Sequence, residues 1–260
     1  MATPAGDVRA TGRPAAPSVV VDPQEFLPLP EAGRRVTRRR RVRLGDVTAG
    51  GRLRLDALAR YLQDVADDDV EEVGLVGVWV LRRLALALGE LPRFQDDVEL
   101  TTFCSGAGRR FAERRTIAVV DGRVAAEAVA LWVYVDDAGR PAPIRDRFFD
   151  LYGGAAGTRR VTSRLRHPPP PRGCDRRPWP LRVTDVDVVD HVNNAASWAA
   201  VEDELARRAP RRLARAEIEY RVAVDLGETV ELRTAPDRER LACWLTCDDE
   251  VRTSALVTFG

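Results

Sequence analysis

The chain contains no lysine, so all 41 of its basic residues are arginine, and it has only two histidines, two asparagines and one methionine. Against 40 acidic residues the formal net charge is +1, which leaves no bulk field to draw the protein onto nucleic acid or a charged membrane. No apolar run approaches the ~20 residues that a membrane-spanning helix needs. Residues 1–33 mix Ala, Pro, Gly, Asp and Arg without periodicity and lack the uninterrupted apolar core of a signal peptide. They read as a flexible N-terminal tail. Cysteine is sparse too: Cys104, Cys174, Cys243 and Cys247 include one Cys-x-x-x-Cys and no neighbouring histidine pair. That pattern points to neither a zinc cage nor a disulfide framework. Cys243 and Cys247 share one face of an expected strand as small apolar groups. Reduced cysteines without an export signal make the expected location cytoplasmic.

Because histidine and asparagine are so rare here, their concentration in one stretch is informative. Residues 185–198 hold Asp185, Asp187, Asp190, His191 and both asparagines, Asn193 and Asn194. Val183 to Val189 is rich in β-branched residues and predicts a strand, while Ala195 to Ala206 predicts a helix. Asn193 or Asn194 stands where an N-cap belongs. Helix N-terminal amides left uncapped polarise a carbonyl or hold an oxyanion. Asp187 and His191 fall just before them. Two proton-handling groups beside amide donors are the parts that ester or thioester hydrolysis requires. The same residues also read as a capped polar turn in which His191 is simply hydrogen-bonded.

A chain of 260 residues accommodates one large or two small domains. Thr37 to Leu44 alternates like a first strand, Asp46 to Gly51 reads as a turn, and Leu53 to Val73 as a helix. Leu55, Leu58, Leu62 and Val65 recur at helical spacing, with acidic residues crowding the far end. Strands follow over Val76 to Leu88, Asp97 to Ser105, Arg109 to Val120 and Arg123 to Asp136. Val120-Asp121-Gly122-Arg123 is a hairpin signal. A short helix is expected over Asp146 to Tyr152. Residues 153–178 gather glycine, arginine and Pro168 to Pro171 into what reads as a stiff exposed linker. From Trp179 the order of strand, turn and helix repeats, closing with strands over Arg215 to Val224, Glu228 to Thr234, Arg240 to Thr246 and Val251 to Phe259. The expected division is a tail (1–33), a first unit (34–152), a linker (153–178) and a second unit (179–260).

Asp185 to Asn194 followed by an Ala-rich helix resembles the second-domain signature of the acyl-acyl carrier protein thioesterases, Asp-Leu-Asp-Val-Asn-x-His-Val-Asn-Asn. Upstream, Trp79-Val80-Leu81-Arg82-Arg83, Leu91-Pro92, Asp97-Val98-Glu99-Leu100, Arg110-Phe111, Ala130 to Asp136 and Gly139-Arg140-Pro141 follow that family's first-domain pattern in order. Downstream, Ile218-Glu219-Tyr220-Arg221 and Gly227-Glu228-Thr229-Val230 match its Glu-Tyr-Arg and Gly-Asp-x-Val segments. The likeness covers roughly residues 40–260 and implies an α+β double hot-dog, two tandem units in which an antiparallel sheet wraps a central helix. It implies an acyl-[acyl-carrier-protein] hydrolase of fatty acid biosynthesis that needs no cofactor. Its partner would be acyl carrier protein bearing a fatty acyl thioester, and the chain would be a monomer or homodimer.

The resemblance carries Asp187, His191, Asn193 and Asn194 into the catalytic site. Asp187 would activate water or attack the carbonyl, and His191 would hold the thioester or shuttle the proton. Two family positions are changed: the asparagine two residues before the histidine is Val189, and the acidic residue three after the tyrosine is Ala223. Neither replacement hydrogen-bonds a water or acts as a base. An acyl-CoA or polyketide thioester hydrolase and a non-hydrolytic acyl-binding protein are therefore the alternatives. Asp190, Ser197, Glu202 and Glu219 are candidates to extend the site, with Glu202 placed to supply the lost carboxylate. Trp79, Leu81, Phe103, Trp132 and Tyr134 are candidates to line an acyl pocket. Two basic runs, Arg34 to Arg43 and Arg159 to Arg177, are candidate carrier-docking patches.

Overall fold

The fold is described from a computed structural model covering residues 28–157, 159 and 161–260. The tail expected over 1–33 therefore lies mostly outside the described residues, as does Arg160. The strands are β1 (Arg35–Arg41), β2 (Val78–Leu88), β3 (Asp97–Ala107), β4 (Phe111–Val120) and β5 (Arg123–Val135), then β6 (Asp175–Pro178), β7 (Leu213–Tyr220), β8 (Val230–Pro236), β9 (Arg240–Cys247) and β10 (Glu250–Phe259). They form one 10-stranded sheet in the order β1-β3-β4-β5-β2-β7-β10-β9-β8-β6. Every neighbouring pair is antiparallel, and the two halves meet where β2 pairs with β7, setting Leu84 opposite Ile218. The turn between β4 and β5 puts both Asp121 and Gly122 at positive φ (49° and 75°), which is the geometry an Asp-Gly hairpin favours.

Among the described residues three α-helices accompany the sheet: α1 (Leu55–Glu72), α2 (Asp146–Ala156) and α3 (Ser197–Ala206). The predicted stripe of Leu55, Leu58, Leu62 and Val65 is the buried face of α1. It shares a single core with Trp198 and Val201 of α3 and with Leu84, Leu86, Ile218, Leu241 and Val257 from both halves of the sheet. Cys243 and Cys247 belong to that core as small buried groups. This is the α+β double hot-dog, with the two central helices packed against each other. A satellite cluster forms where α2 sets Phe148 and Tyr152 against Cys104 and Tyr134.

Two expectations are corrected. Val183 to Val189 is not a strand: Val183–Asp185 is a 3-10 turn whose Asp185 carboxylate accepts from the Arg182 amide at 2.9 Å. No neighbouring strand covers its valines, and Val183, Val188 and Val189 are exposed. Strand preference in such residues reflects packing on a sheet and lapses without one. The strand of the second unit is instead β6, drawn from the segment read as a free linker, and it pairs with β8 at the sheet edge. The rest of that segment is also tied down. Buried His167 sets Nε2 3.0 Å from Glu217 Oε1 and Nδ1 3.0 Å from Ser254 Oγ, and its backbone amide donates to Glu219 Oε2 at 3.1 Å. Trp244 Nε1 donates to the Pro168 carbonyl at 2.9 Å. Glu217 and Glu219 flank core residue Ile218, so alternation along the strand puts them on the opposite face of the sheet.

The basic run on β1 is largely neutralised within the molecule. Arg34 pairs with Asp69 at 2.6 Å, Arg38 with Glu72 at 2.6 Å, Arg40 with Asp68 at 2.9 Å and Arg41 with Asp97 at 3.2 Å. The acidic end of α1 is thus the partner of β1. That matches the first basic run to the acidic run of α1. In the second run Arg159 pairs with Glu113, and Arg177 with Asp203 and Glu204.

Candidate active site

Residues 185–193 form a tight hairpin that holds Asp187 in place. The Asp187 amide donates to the His191 carbonyl at 3.0 Å, the Asp190 amide to the Asp187 carbonyl at 3.0 Å and the Asn193 amide to the Asp185 carbonyl at 2.7 Å. Asp190 occupies the left-handed region at φ 62°, which Asp tolerates better than most side chains. The carboxylate is held from two directions: Oδ1 accepts from the Val189 amide at 3.1 Å and Oδ2 from Asn193 Nδ2 at 3.0 Å. Asn193 Oδ1 in turn accepts from the Ala195 amide at 2.8 Å, capping the turn Asn194–Ala196 that leads into α3.

Asp187 and Asn193 lie on the wall of a cavity of about 580 Å³, with Val188 and Val189 beside them. Opposite stand Gln63, Asp64 and Asp67 of α1, and Trp79, Trp132 and Phe148 supply apolar surface. Partial burial pushes the Asp64 carboxyl above its ordinary value, with Arg40 opposing and Asp68 reinforcing; its side chain still reaches solvent at the cavity mouth. Cys104 also lines the cavity, but burial pushes its thiol up to about 11. A thiol held there is protonated at neutral pH and is not a ready nucleophile.

Of the four expected site residues the structure brings Asp187 and Asn193 together on the cavity wall and leaves His191 and Asn194 off it. His191 is exposed, absent from the cavity wall, and sets Nδ1 2.7 Å from Asp225 Oδ1. It meets Asp187 only through the backbone hydrogen bond across the hairpin, so the expected side-chain partnership is not formed. Asn194 contributes its carbonyl to a buried ladder: it accepts from Tyr220 Oη at 3.0 Å, which accepts from Trp198 Nε1 at 3.1 Å. Burial pushes the Tyr220 hydroxyl far up, so it stays a neutral donor. The amides of Ala195 and Ala196 are occupied by Asn193, which removes them from the expected set of oxyanion donors.

Of the candidates for extending the site, Glu202 is directed elsewhere. It accepts from the Leu55 amide at 2.6 Å and pairs with Arg52 at 2.7 Å, capping α1. Glu219 is fully buried under His167 and Arg221, and Ser197 is buried. Asp190 closes the exposed turn. Of the expected lining residues, Trp79 and Trp132 are on the cavity wall, whereas Leu81, Phe103 and Tyr134 are not. Tyr134 packs edge-on behind Trp79 at 5.2 Å. Sequence reasoning missed Gln63, Asp64 and Asp67. Their signal was a polar strip running beside the buried stripe of α1, concealed among other acidic residues.

A duplicated sheet-wrapped helix with a carboxylate at the edge of a partly apolar cavity defines a double hot-dog architecture. Family comparison takes this further. The acyl-ACP thioesterase N-terminal domain model matches residues 33–152 and the C-terminal domain model residues 172–255. The chain belongs to the acyl-ACP thioesterase family, an enzyme family of acyl-ACP hydrolases. An uncharacterized protein of Mycobacterium tuberculosis is 26% identical over 238 residues, 88% of this chain and 93% of that protein. An acyl-ACP thioesterase from Bacteroides thetaiotaomicron superposes with a TM-score of 0.73 at 20% identity, covering 87% of this chain and 98% of that one. The 12:0-ACP thioesterase from Umbellularia californica gives a TM-score of 0.73 at 18% identity, covering 87% and 97%. These two structures share the fold. Among the described residues no helix is long and apolar enough to cross a membrane.

Proposed function

We propose that the chain hydrolyses a fatty acyl thioester carried on acyl carrier protein, releasing the free acid and the carrier thiol. The observation that carries this reading is the Asp187 carboxylate, fixed by Asn193 and the Val189 amide on the wall of a cavity with an apolar side. In the proposed step Asp187 takes a proton from water as the water oxygen bonds to the thioester carbon. The C–S bond then breaks, and the departing thiolate regains that proton. Asn193 holds the Asp187 carboxylate aimed into the cavity, and the Gln63 carboxamide across the cavity offers an N–H toward the developing oxyanion. One such donor contributes about 3 to 4 kcal/mol in comparable sites. His191 with Asp225 and the Asn194 ladder act as positioning groups that hold the hairpin.

A second reading, a non-hydrolytic acyl-binding protein, is favoured by Val189, which occupies cavity wall at the position where the family carries asparagine. One experiment separates the two. Thiol release from acyl-ACP by the purified chain is compared with that by Asp187→Ala. Hydrolysis predicts loss of release in the variant with acyl binding retained. Equal, background-level release from both proteins would establish the binder.

A further inference from the structure

The hairpin that carries Asp187 occurs twice. Arg43 to Leu55 in the first unit folds as Arg182 to Asn194 does in the second. The amides of Asp46 and Asp185 donate to the carbonyls of Arg43 and Arg182 at 3.0 and 2.9 Å, those of Thr48 and Asp187 to Arg52 and His191 at 2.8 and 3.0 Å, and those of Arg54 and Asn193 to Asp46 and Asp185 at 2.9 and 2.7 Å. The Asp46 and Asp185 carboxylates accept from the Arg43 and Arg182 amides at 2.9 Å in both copies. Gly51 and Asp190 close the two turns at φ 79° and 62°. In this register Thr48 stands where the second unit has Asp187, Arg52 where it has His191, and Arg54 where it has Asn193.

Each hairpin faces the helix of the other unit across a cavity. The Asp187 hairpin faces α1, and Thr48 to Arg52 faces α3 across a twin cleft of about 770 Å³. The register also pairs Gln63 with Glu202, one on each wall. The two spaces differ in charge. The Asp187 cavity sets Arg60 and Arg114 against Asp64, Asp67, Glu113 and Asp187. The twin sets Arg52, Arg93, Arg208, Arg211, Arg212 and Arg240 against Glu90, Glu202 and Asp237. Arg52 and Arg208 are offset by Glu202 and Glu204, and Glu90 is drawn off by Arg123 at 2.7 Å. Arg93, Arg211 and Arg212 are exposed at the mouth, while half-buried Leu205 and Phe259 give apolar wall, backed by the core residues Leu91 and Leu241. An anion is repelled by the first space and attracted by the second.

We propose that the twin cleft is a second, non-hydrolytic site that binds a long-chain carboxylate, its head on the arginines of the mouth and its tail against the leucines. A free carboxylate has no thioester bond to break, so the ligand is held there as such. The inference rests on the repeated turn and on charge rather than on the hydrolysis reading, so either stands if the other fails.

The test is photolabelling of the full chain with a diazirine-bearing long-chain fatty acid, mapped by peptide mass spectrometry. The expected result is label on peptides that contain Leu205 or Leu241. That label should fall at least about tenfold in R93E/R212E, the scale of losing charge-assisted contacts to the head group, and persist in R93K/R212K and in Asp187→Ala. The methyl ester of the same probe should label the cleft far less than the free acid. Label confined to peptides of the Asp187 cavity overturns the proposal, as does label of the cleft that is unchanged by charge reversal in a variant with wild-type circular dichroism.

Discussion

Asn193 serves Asp187 with one end of its carboxamide and α3 with the other: Nδ2 donates to Asp187 Oδ2 at 3.0 Å while Oδ1 accepts from the Ala195 amide at 2.8 Å. The two duties separate by substitution. Aspartate is as good an N-cap as asparagine but has no N–H to give, and its charge opposes that of Asp187. Asn193→Asp should therefore keep its melting temperature within a few degrees of wild type while kcat for thiol release falls about 100-fold, within the usual range for a displaced general base. Asn193→Ala should lose activity and also about 1 kcal/mol of stability. Thermal unfolding alongside a thiol-release assay reads both, and equal activity of Asn193→Asp and wild type would remove Asn193 from the site.

Asp187 and His191 should behave unequally, although they sit on one hairpin. Only Asp187 lines the cavity, and His191 turns to Asp225. Asp187→Asn should lower kcat about 100- to 10,000-fold, as expected for loss of an acid–base group. His191→Ala should cost less than about tenfold, the limit for a group that never meets the reacting atoms. Losses of equal size would mean that the hairpin rearranges when substrate binds.

Glu202 is a structural carboxylate. It is buried, accepts from the Leu55 amide at 2.6 Å and pairs with Arg52 at 2.7 Å. Glu202→Gln should destabilise the fold by about 2 to 3 kcal/mol, the cost of weakening buried hydrogen bonds to a charged group. The folded fraction should keep its KM for acyl-ACP. Urea unfolding with parallel kinetics decides this, and a fall in kcat without a loss of stability would return Glu202 to the catalytic list.

The β4–β5 hairpin and the long helix α1 were among the legible parts of this protein. The period of Leu55, Leu58, Leu62 and Val65 marks the buried face of α1, and Asp121-Gly122 marks the turn between β4 and β5, because both signals are local. Asn193 was legible as a cap for the same reason. Where His191 points was not, because that depends on Asp225, 34 residues away in sequence. Val183 to Val189 misled because β-branched residues register a strand only if a neighbouring strand covers them. The first basic run read as unpaired because its partners, Asp68, Asp69 and Glu72, belong to a different element. The repeat of the Asp187 turn at Thr48 was hard to read in the sequence because the copies share Arg43/Arg182, Asp46/Asp185 and Val47/Val186 but differ at the Thr48/Asp187, Arg52/His191 and Arg54/Asn193 positions.

The segment between the two units should act as an acid-sensitive latch. Glu217 is buried, which alone would raise its carboxyl, but the hydrogen bond and charge of His167, aided by Arg83 and Arg166, hold it below its ordinary value of 4.5. A depressed carboxyl contributes stability that is present above its unfolded value and is lost as pH falls through its folded value. Wild type should therefore shed this contribution on the acid side of about pH 4.5, where the unfolded chain takes up the proton first. Glu217→Gln removes the carboxylate that His167 Nε2 meets at 3.0 Å and should be less stable by about 1.5 to 3 kcal/mol near neutrality, the range for a hydrogen bond to a charged group. The gap should narrow steadily as pH falls below about 4.5, because the wild-type contribution is lost there and the glutamine has no proton to take up. Urea-unfolding free energies at a series of pH values test the point. A gap that stays constant across the series would show that His167 and Glu217 are held together by packing and not by charge.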